Sequence, residues 1–216
     1  MLVGLSQISV HRGQATPATS RGAGTAGVAQ TSSPLSGIPQ HGNLLGSPTA
    51  PVRLVEYADL QCPYCAVYAR DVLPTLIRDY VRTGKVQLEY RGLAFIGPDS
   101  VTALRTATAG GAQNRMWNVL ELLFAKQGPE NAWVTDELLR STVTAAGANV
   151  TRAFGARDSI AVTQAIEGWA RDANTAGVTG TPTFFFGRRG APLERLALST
   201  LDVSLFRTAL DGALQR

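Results

Sequence analysis

Residues 52–65 read VRLVEYADLQCPYC, and the two cysteines that close this stretch, Cys62 and Cys65, are the only ones in the 216-residue chain. A pair separated by two residues suits a reversible dithiol/disulfide couple, and C-x-x-C beside a βαβ-like pattern reads as a redox motif. The neighbours support that reading. Val52 to Tyr57 is a short strand-like run, and Pro63 suits the first position of a helix, where its missing N–H is an orphan anyway. Cys62 is then expected at the helix N-terminus, where unpaired N–H groups and the helix dipole favour an anion.

That placement carries the chemistry. The thiolate, not the thiol, attacks a disulfide sulfur, so a redox cysteine needs its pKa lowered. A charge at a helix N-terminus gains roughly 0.3–1 kcal/mol, and up to about 2, which lowers a thiol pKa by about one unit. Cys62 is the expected nucleophile. Cys65, one turn into the helix and facing the sheet, is the expected resolving thiol.

The rest of the chain reads as a scaffold for this pair. The helix from Pro63 to about Thr83 carries Tyr68, Val72, Leu76 and Tyr80 on one face; Pro74 is expected to kink it near Leu73, and Gly84 to end it. Val86 to Tyr90 reads as a second strand, which completes a β-α-β unit. From Asp99 to Ala176 the pattern predicts four helices: one capped by Ser100, one carrying Met116, Leu120, Leu123 and Phe124, one starting at Thr135 or Asp136, and one from Asp158. Sheet character returns at Thr183 to Phe186, with a turn at 187–190 and an antiparallel partner over Leu193 to Ala197. Thr200 or Asp202 is expected to cap a last helix bearing Val203, Phe206, Leu210 and Leu214. The fold class is α/β, a mixed central sheet flanked by helices, with a helical insertion at about 98–176.

Residues 1–47 read differently. Rich in Gly, Ala, Ser, Thr, Pro and Gln over 11–47, they are expected to form a flexible polar segment ahead of a folded domain over 48–216. Met1 to Val10 is mildly apolar but lacks a basic leader and a cleavage site; it is either the remnant of a signal or anchor, or without such a role. No run reaches the roughly 18 apolar residues of a membrane span. The net charge is +4. Residues 1–50 hold Arg12 and Arg21 and no acid, so 51–216 carry 18 basic against 16 acidic residues. No nucleic-acid partner is expected from so even a balance.

The order β-α-β, helices, β-β-α, with Cys62-Pro63-Tyr64-Cys65 after the first strand and Gly180-Thr181-Pro182-Thr183 before the third, resembles the DsbA-type branch of the thioredoxin superfamily. The resemblance covers about residues 48–216 and is closest to bacterial members with a long polar N-terminal segment, a lead-in like LGSPTAPV and the motif ADLQCPYC. By that resemblance Pro182 is a cis-proline packed against the active-site couple, and Thr181 offers backbone groups to an extended client by strand addition. Pro63 and Tyr64 share that substrate surface. Glu56, six residues before Cys62, matches the buried acid of thioredoxin relatives; a carboxylate facing the sheet-side cysteine can accept the proton of Cys65 when that thiol attacks a mixed disulfide. The sequence offers no supported cation for Glu56; Arg91 is the candidate.

The resemblance implies a thiol-disulfide oxidoreductase, most simply a monomeric disulfide donor outside the cytoplasm. It implies cysteine-containing client proteins, a quinone-linked membrane thiol oxidase as redox partner, and no cofactor beyond the Cys62–Cys65 couple. The dipeptide departs from the pattern: the most strongly oxidising members carry histidine where Tyr64 stands. A phenol stabilises the Cys62 thiolate less, so a less oxidising couple is expected. Disulfide reductase or isomerase activity, and a non-catalytic peptide-binding or chaperone module, remain open. A structural zinc site needs two further ligands, and the only histidines, His11 and His41, lie at no motif spacing. No metal is expected.

Overall fold

A computed structural model describes residues 34–216. Its centre is a six-stranded sheet in the order β1-β2-β4-β3-β5-β6, with β1 (Gln40–His41), β2 (Leu44–Leu45), β3 (Val52–Ala58), β4 (Val86–Gly92), β5 (Thr183–Arg188) and β6 (Glu194–Arg195). β3 runs parallel to β4 and antiparallel to β5. A parallel pair needs a crossover connection, and the helical run over 63–81, α1, supplies it.

Alternation along the strands divides the interior in two. Val52, Leu54 and Ala58 of β3 join Val86, Leu88 and Tyr90 of β4 and Phe184 and Phe186 of β5 in the main core. Val55 and Tyr57 point the other way, onto Leu93, Ala173, Val178 and Phe185. This is the period of two that a strand imposes when both faces are covered. In the main core Tyr68, Phe184 and Phe206 form an aromatic triad, with ring centroids 4.6–5.5 Å apart.

α1 is not a uniform helix. α-Helical turns at Pro63–Val67 and Leu73–Leu76 alternate with π-helical turns at Tyr68–Val72 and Ile77–Val81. Pro74 cannot donate to the Arg70 carbonyl; just upstream the ladder widens, the Leu73 N–H reaching Tyr68 O, and Val72 takes a φ of −110°. The distortion expected near Leu73 is therefore a π turn. Gly84, with φ +74°, sits in the left-handed region just past the helix end.

The helical insertion holds five helices rather than four: α2 (Pro98–Gly111), α3 (Met116–Ala125), α4 (Asp136–Ala145), α5 (Val150–Ala156) and α6 (Ile160–Thr175). The seven residues of α5 are too few to show a period, though Asn149 caps it by accepting from the Arg152 N–H. Thr135 caps α4 and Ser159 caps α6, which begins at Ile160 rather than Asp158. α2 begins at Pro98, ahead of Ser100; Ser100 is buried and donates its hydroxyl to Asp59 instead of capping. Asp202 caps the last helix, α7 (Val203–Gln215). The expected partner strand over 193–197 shortens to β6, because only Glu194 and Arg195 register with Phe186 and Phe185.

The polar segment expected over 1–47 needs correction at its end. Residues 1–33 lie outside the described residues, but β1 and β2 form a hairpin that pairs with the outer edge of β4. Leu35, Ile38 and Leu45 are buried in the main core. Isolated apolar residues in a polar context, closed by a turn at Gly42 (φ +55°), anchor what composition alone assigns to a tail.

Candidate active site: the Cys62–Cys65 turn

β3 ends at Ala58, and a tight turn delivers Cys62 to the start of α1. The Cys62 N–H donates to Asp59 O at 3.0 Å, and Asp59 Oδ1 accepts the Gln61 N–H at 2.8 Å. Cys62 is extended (φ −71°, ψ 118°) and Pro63 follows in the first turn. No side chain caps this terminus, so its backbone N–H groups are left for the Cys62 sulfur.

Asp59 is the hub of the turn. Fully buried, it also accepts the Ser100 hydroxyl at 2.6 Å and the N–H groups of Phe95 and Ile96 at 2.7 and 3.1 Å. Gln61 adds a second tie, donating to Ser100 Oγ and Asn131 Oδ1 and accepting the Asn131 N–H. Gln127 donates to Leu60 O at 2.7 Å and Cys62 O at 3.2 Å. The turn is thus held by residues of the helical insertion. The sequence does not show these roles of Asp59, Gln61, Ser100 and Gln127, although Asp59 and Gln61 lie within ADLQCPYC and Ser100 reads as a helix cap. Their partners are 36 to 70 positions away, and only the short-range Gln61–Asp59 turn bond has a local signal.

Across the turn lies the other predicted motif. The Thr181–Pro182 peptide bond is cis, and the Cys62 thiol donates to the Thr181 carbonyl at 3.2 Å. Both cysteines are thiols; Cys65 is fully buried and Cys62 is 5% exposed. Tyr64 projects outward, 67% exposed, while Pro63 occupies the helix start.

The two sulfurs are electrostatically unequal. The Cys62 pKa is lowered to about 6, chiefly because Cys65 donates a hydrogen bond to it; burial opposes this, and the Thr181 side chain and the backbone N–H groups of Cys65 and Tyr64 assist. The sequence points to the helix terminus, and the structure ranks the partner thiol above it. Cys65 is pushed well above the ordinary thiol value by burial and by its bond to Cys62.

Glu56 stands on the main-core face of β3, in register with Tyr90 on one side and Phe184 on the other. Only 4% exposed, it is raised to about 8 by burial and then by the charge of Cys62. Glu56 also acts electrostatically on Cys65. Arg91 is not its partner: the guanidinium binds Glu89 at 2.7 Å, Asp172 at 3.0 Å and the Tyr57 hydroxyl at 2.8 Å. Arg91 alternates away from Glu56, on the Tyr57 side of the sheet. The structure therefore assembles Cys62, Cys65, Glu56, Thr181 and Pro182 around one helix start.

Among the described residues no group of three or more His, Cys, Asp or Glu side chains could hold a metal ion, and no helix is long and apolar enough to cross a membrane. His11 lies outside those residues.

Comparison with known proteins places this site in a family. Residues 40–193 match the family described as Thioredoxin, and the chain belongs to that family. "Probable disulfide bond formation protein D" of Bacillus anthracis is 37% identical over 105 residues, covering 46% of this chain and 47% of that protein. The chain thus spans about half the length of such curated relatives. BdbD of Bacillus subtilis, in its oxidised crystal structure, superposes with a TM-score of 0.71 at 22% identity, over 83% of this chain and 98% of the other. α-DsbA1 of Wolbachia pipientis superposes with a TM-score of 0.69 at 20% identity, over 80% and 90%. These likenesses establish the thioredoxin fold.

Proposed function

We propose that this protein is a thiol-disulfide oxidoreductase that donates disulfides to cysteine-containing client proteins outside the cytoplasm. The observation that carries the reading is the asymmetry of the couple: a Cys62 held down to about 6 beside a Cys65 held well above the ordinary thiol value. At neutral pH Cys62 is the thiolate and Cys65 keeps its proton, so one sulfur exchanges with clients and the other waits.

In the donor direction a client thiolate attacks Cys62 Sγ of the enzyme disulfide, and Cys65 leaves with the electron pair. Glu56, protonated below about 8, supplies the proton that the buried Cys65 requires. A second client thiolate then attacks the client sulfur of the mixed disulfide. Cys62 departs as a thiolate, and the client gains its disulfide. In the reverse direction Glu56 takes the Cys65 proton as that thiol attacks the mixed disulfide. Thr181 and Pro182 hold the client backbone beside Cys62, with Pro63 and Tyr64 on the same rim. The enzyme acts as a monomer, needs no cofactor, and is reoxidised by a quinone-linked thiol oxidase in the membrane.

Stabilising the thiolate stabilises the reduced enzyme and makes its disulfide more oxidising. The corresponding thiol has a pKa of roughly 3.5 in the strongest donors and about 7 in thioredoxin, so a value of about 6 predicts an intermediate couple. The same value, nearer to thioredoxin, is what favours an isomerase or reductase as the second reading. Equilibration of the Cys62–Cys65 couple with glutathione buffers separates them. A potential well above the cytosolic glutathione poise supports the donor. A potential near that of thioredoxin replaces it with a reductase. Undiminished function in Cys62→Ser replaces both with a non-catalytic module.

A further inference from the structure

The end of the sheet remote from Cys62 carries the exposed cations Arg82, Lys85, Arg188 and Arg189. The backbone brings them together around the start of β3. Val52 N donates to Lys85 O at 3.3 Å, and Val52 registers with Arg188 on its other side. Arg189 N donates to Pro51 O at 2.8 Å, and its Nε to Ala50 O at 3.1 Å. With neighbouring strands roughly 4.8 Å apart, the backbones carrying Lys85 and Arg188 are about 10 Å apart. That is comparable with the Debye length of roughly 8 Å at physiological salt, so the charges repel.

No acid offsets them. Among the described residues none of these cations pairs with a carboxylate. On the adjoining α1 and β6, Asp79 is bound to Arg78 and Arg207, and Glu194 to Arg216. Arg82 donates to the neutral carbonyls of Pro34 and Ser36. The described chain therefore starts at this same end, and residues 1–33 include Arg12 and Arg21 and no Asp or Glu.

We propose that this end of the protein docks on a membrane surface rich in anionic phospholipid headgroups, with the active-site turn facing away from it. β3 spans about 20 Å from Val52 to Ala58 at roughly 3.3 Å per residue, so Cys62 is held clear of the surface. Headgroup phosphates match guanidinium and ammonium donors. Thr83, Gly84, Gly190 and Ala191, which stand among the cations, are small enough to let headgroups approach. Surfaces that track single-stranded nucleic acid add exposed aromatic platforms, whereas the exposed aromatics Tyr64 and Phe95 both lie at the Cys62 end. Each Lys or Arg beside an anionic membrane strengthens binding roughly fivefold.

The test is co-sedimentation of the full chain with vesicles of phosphatidylglycerol and phosphatidylcholine, against vesicles of phosphatidylcholine alone. The proposal expects binding roughly tenfold or more stronger to the anionic vesicles, weakening steeply as salt rises. It expects a loss of roughly tenfold or more in Arg188→Glu/Arg189→Glu. Both effects are expected to persist in Cys62→Ser/Cys65→Ser, which separates docking from disulfide exchange. In that thiol-free chain, a polarity-sensitive fluorophore on Ala191→Cys is expected to shift to the blue on vesicles, and one on Tyr64→Cys is not. Equal binding to the two vesicles overturns the proposal, as does unchanged binding in a folded Arg188→Glu/Arg189→Glu chain or a shift at position 64 alone. Tighter binding to a DNA oligonucleotide than to the vesicles at the same salt assigns the end to nucleic acid and overturns it too. Should the reversed-charge variant not fold, Lys85→Gln/Arg188→Gln gives the same comparison.

Discussion

The thiol of Cys62 donates to the carbonyl oxygen of Thr181 at 3.2 Å, so the start of α1 and the loop before β5, 119 positions apart, meet at the sulfur itself. This contact puts the Cys62 sulfur beside the loop that carries the cis peptide bond rather than in open solvent. It does not by itself set the acidity of Cys62, and the first test concerns what does.

Cys65 is the largest influence lowering the Cys62 pKa. Replacing it with alanine removes the S–H donor and leaves the helix N-terminus in place. The Cys62 titration, followed by thiolate absorbance or by the pH dependence of alkylation, is expected near 6 in the wild type and higher by about one unit or more in Cys65→Ala. An unmoved midpoint would assign the shift to the helix terminus instead.

Glu56 makes stability depend on pH in a definite sense. Its folded-state pKa is raised from 4.5 to about 8, so its contribution is fully present below about 4.5 and is lost as pH rises through about 8. The reduced wild-type chain is expected to lose a few kcal/mol relative to Glu56→Gln across that window, on a scale of 1.36 kcal/mol per unit. Denaturant titrations of both chains at a series of pH values measure the difference. Parallel curves would place Glu56 in water.

Gln127 holds two carbonyls of the active-site turn but touches neither sulfur. Gln127→Leu is expected to lower kcat/KM for a dithiol peptide by roughly tenfold through misplacement of Cys62, with the thiolate titration unchanged. Partial restoration of the rate by Gln127→Asn, which keeps the N–H donor, but not by Gln127→Glu, whose carboxylate cannot donate to carbonyls, would identify the hydrogen bonds as the cause. A rate that falls only in step with the unfolded fraction would reduce Gln127 to a structural role.

Asp59 accepts from Gln61, Phe95, Ile96 and Ser100 in the interior. Asp59→Ala strands several buried donors at about 1–3 kcal/mol each. Partial relaxation leaves an expected loss of roughly 3 kcal/mol or more, with Asp59→Asn intermediate. Equilibrium unfolding checks this; a change within about 0.5 kcal/mol would contradict the hub.

The parts of this protein that announce themselves in sequence are those with a local cause. Pro63 at a helix start, Gly84 past a helix end, the alternating Phe184-Phe185-Phe186, and the pairing of Cys62-Cys65 with Thr181-Pro182 all state their structure within a few residues. Glu56 is legible from its offset before Cys62, and the strand period sets it on the same face as Leu54, where the structure has it. What stayed hidden depends on distance or brevity. The β1–β2 hairpin uses two-residue strands, below the length at which alternation can be recognised, and α5, at seven residues, makes only about two turns. Ser100 satisfies the local rule for a helix cap, yet a buried carboxylate 41 positions away claims its hydroxyl. Arg91 is close to Glu56 in register but leaves on the opposite face, a fact of pairing rather than of composition.

The sheet also has a frayed rather than a sticky margin. Its outermost strands, Gln40–His41 and Glu194–Arg195, are two residues long, while the long strands β3, β4 and β5 lie inside. A growing fibril needs a long row of free amides and carbonyls to copy, and neither rim supplies one. A catalyst that holds partly unfolded polypeptides against its own backbone would meet that hazard at every turnover. On the function proposed above, a visiting chain pairs beside Thr181, where thiol chemistry can release it instead of adding it to the sheet.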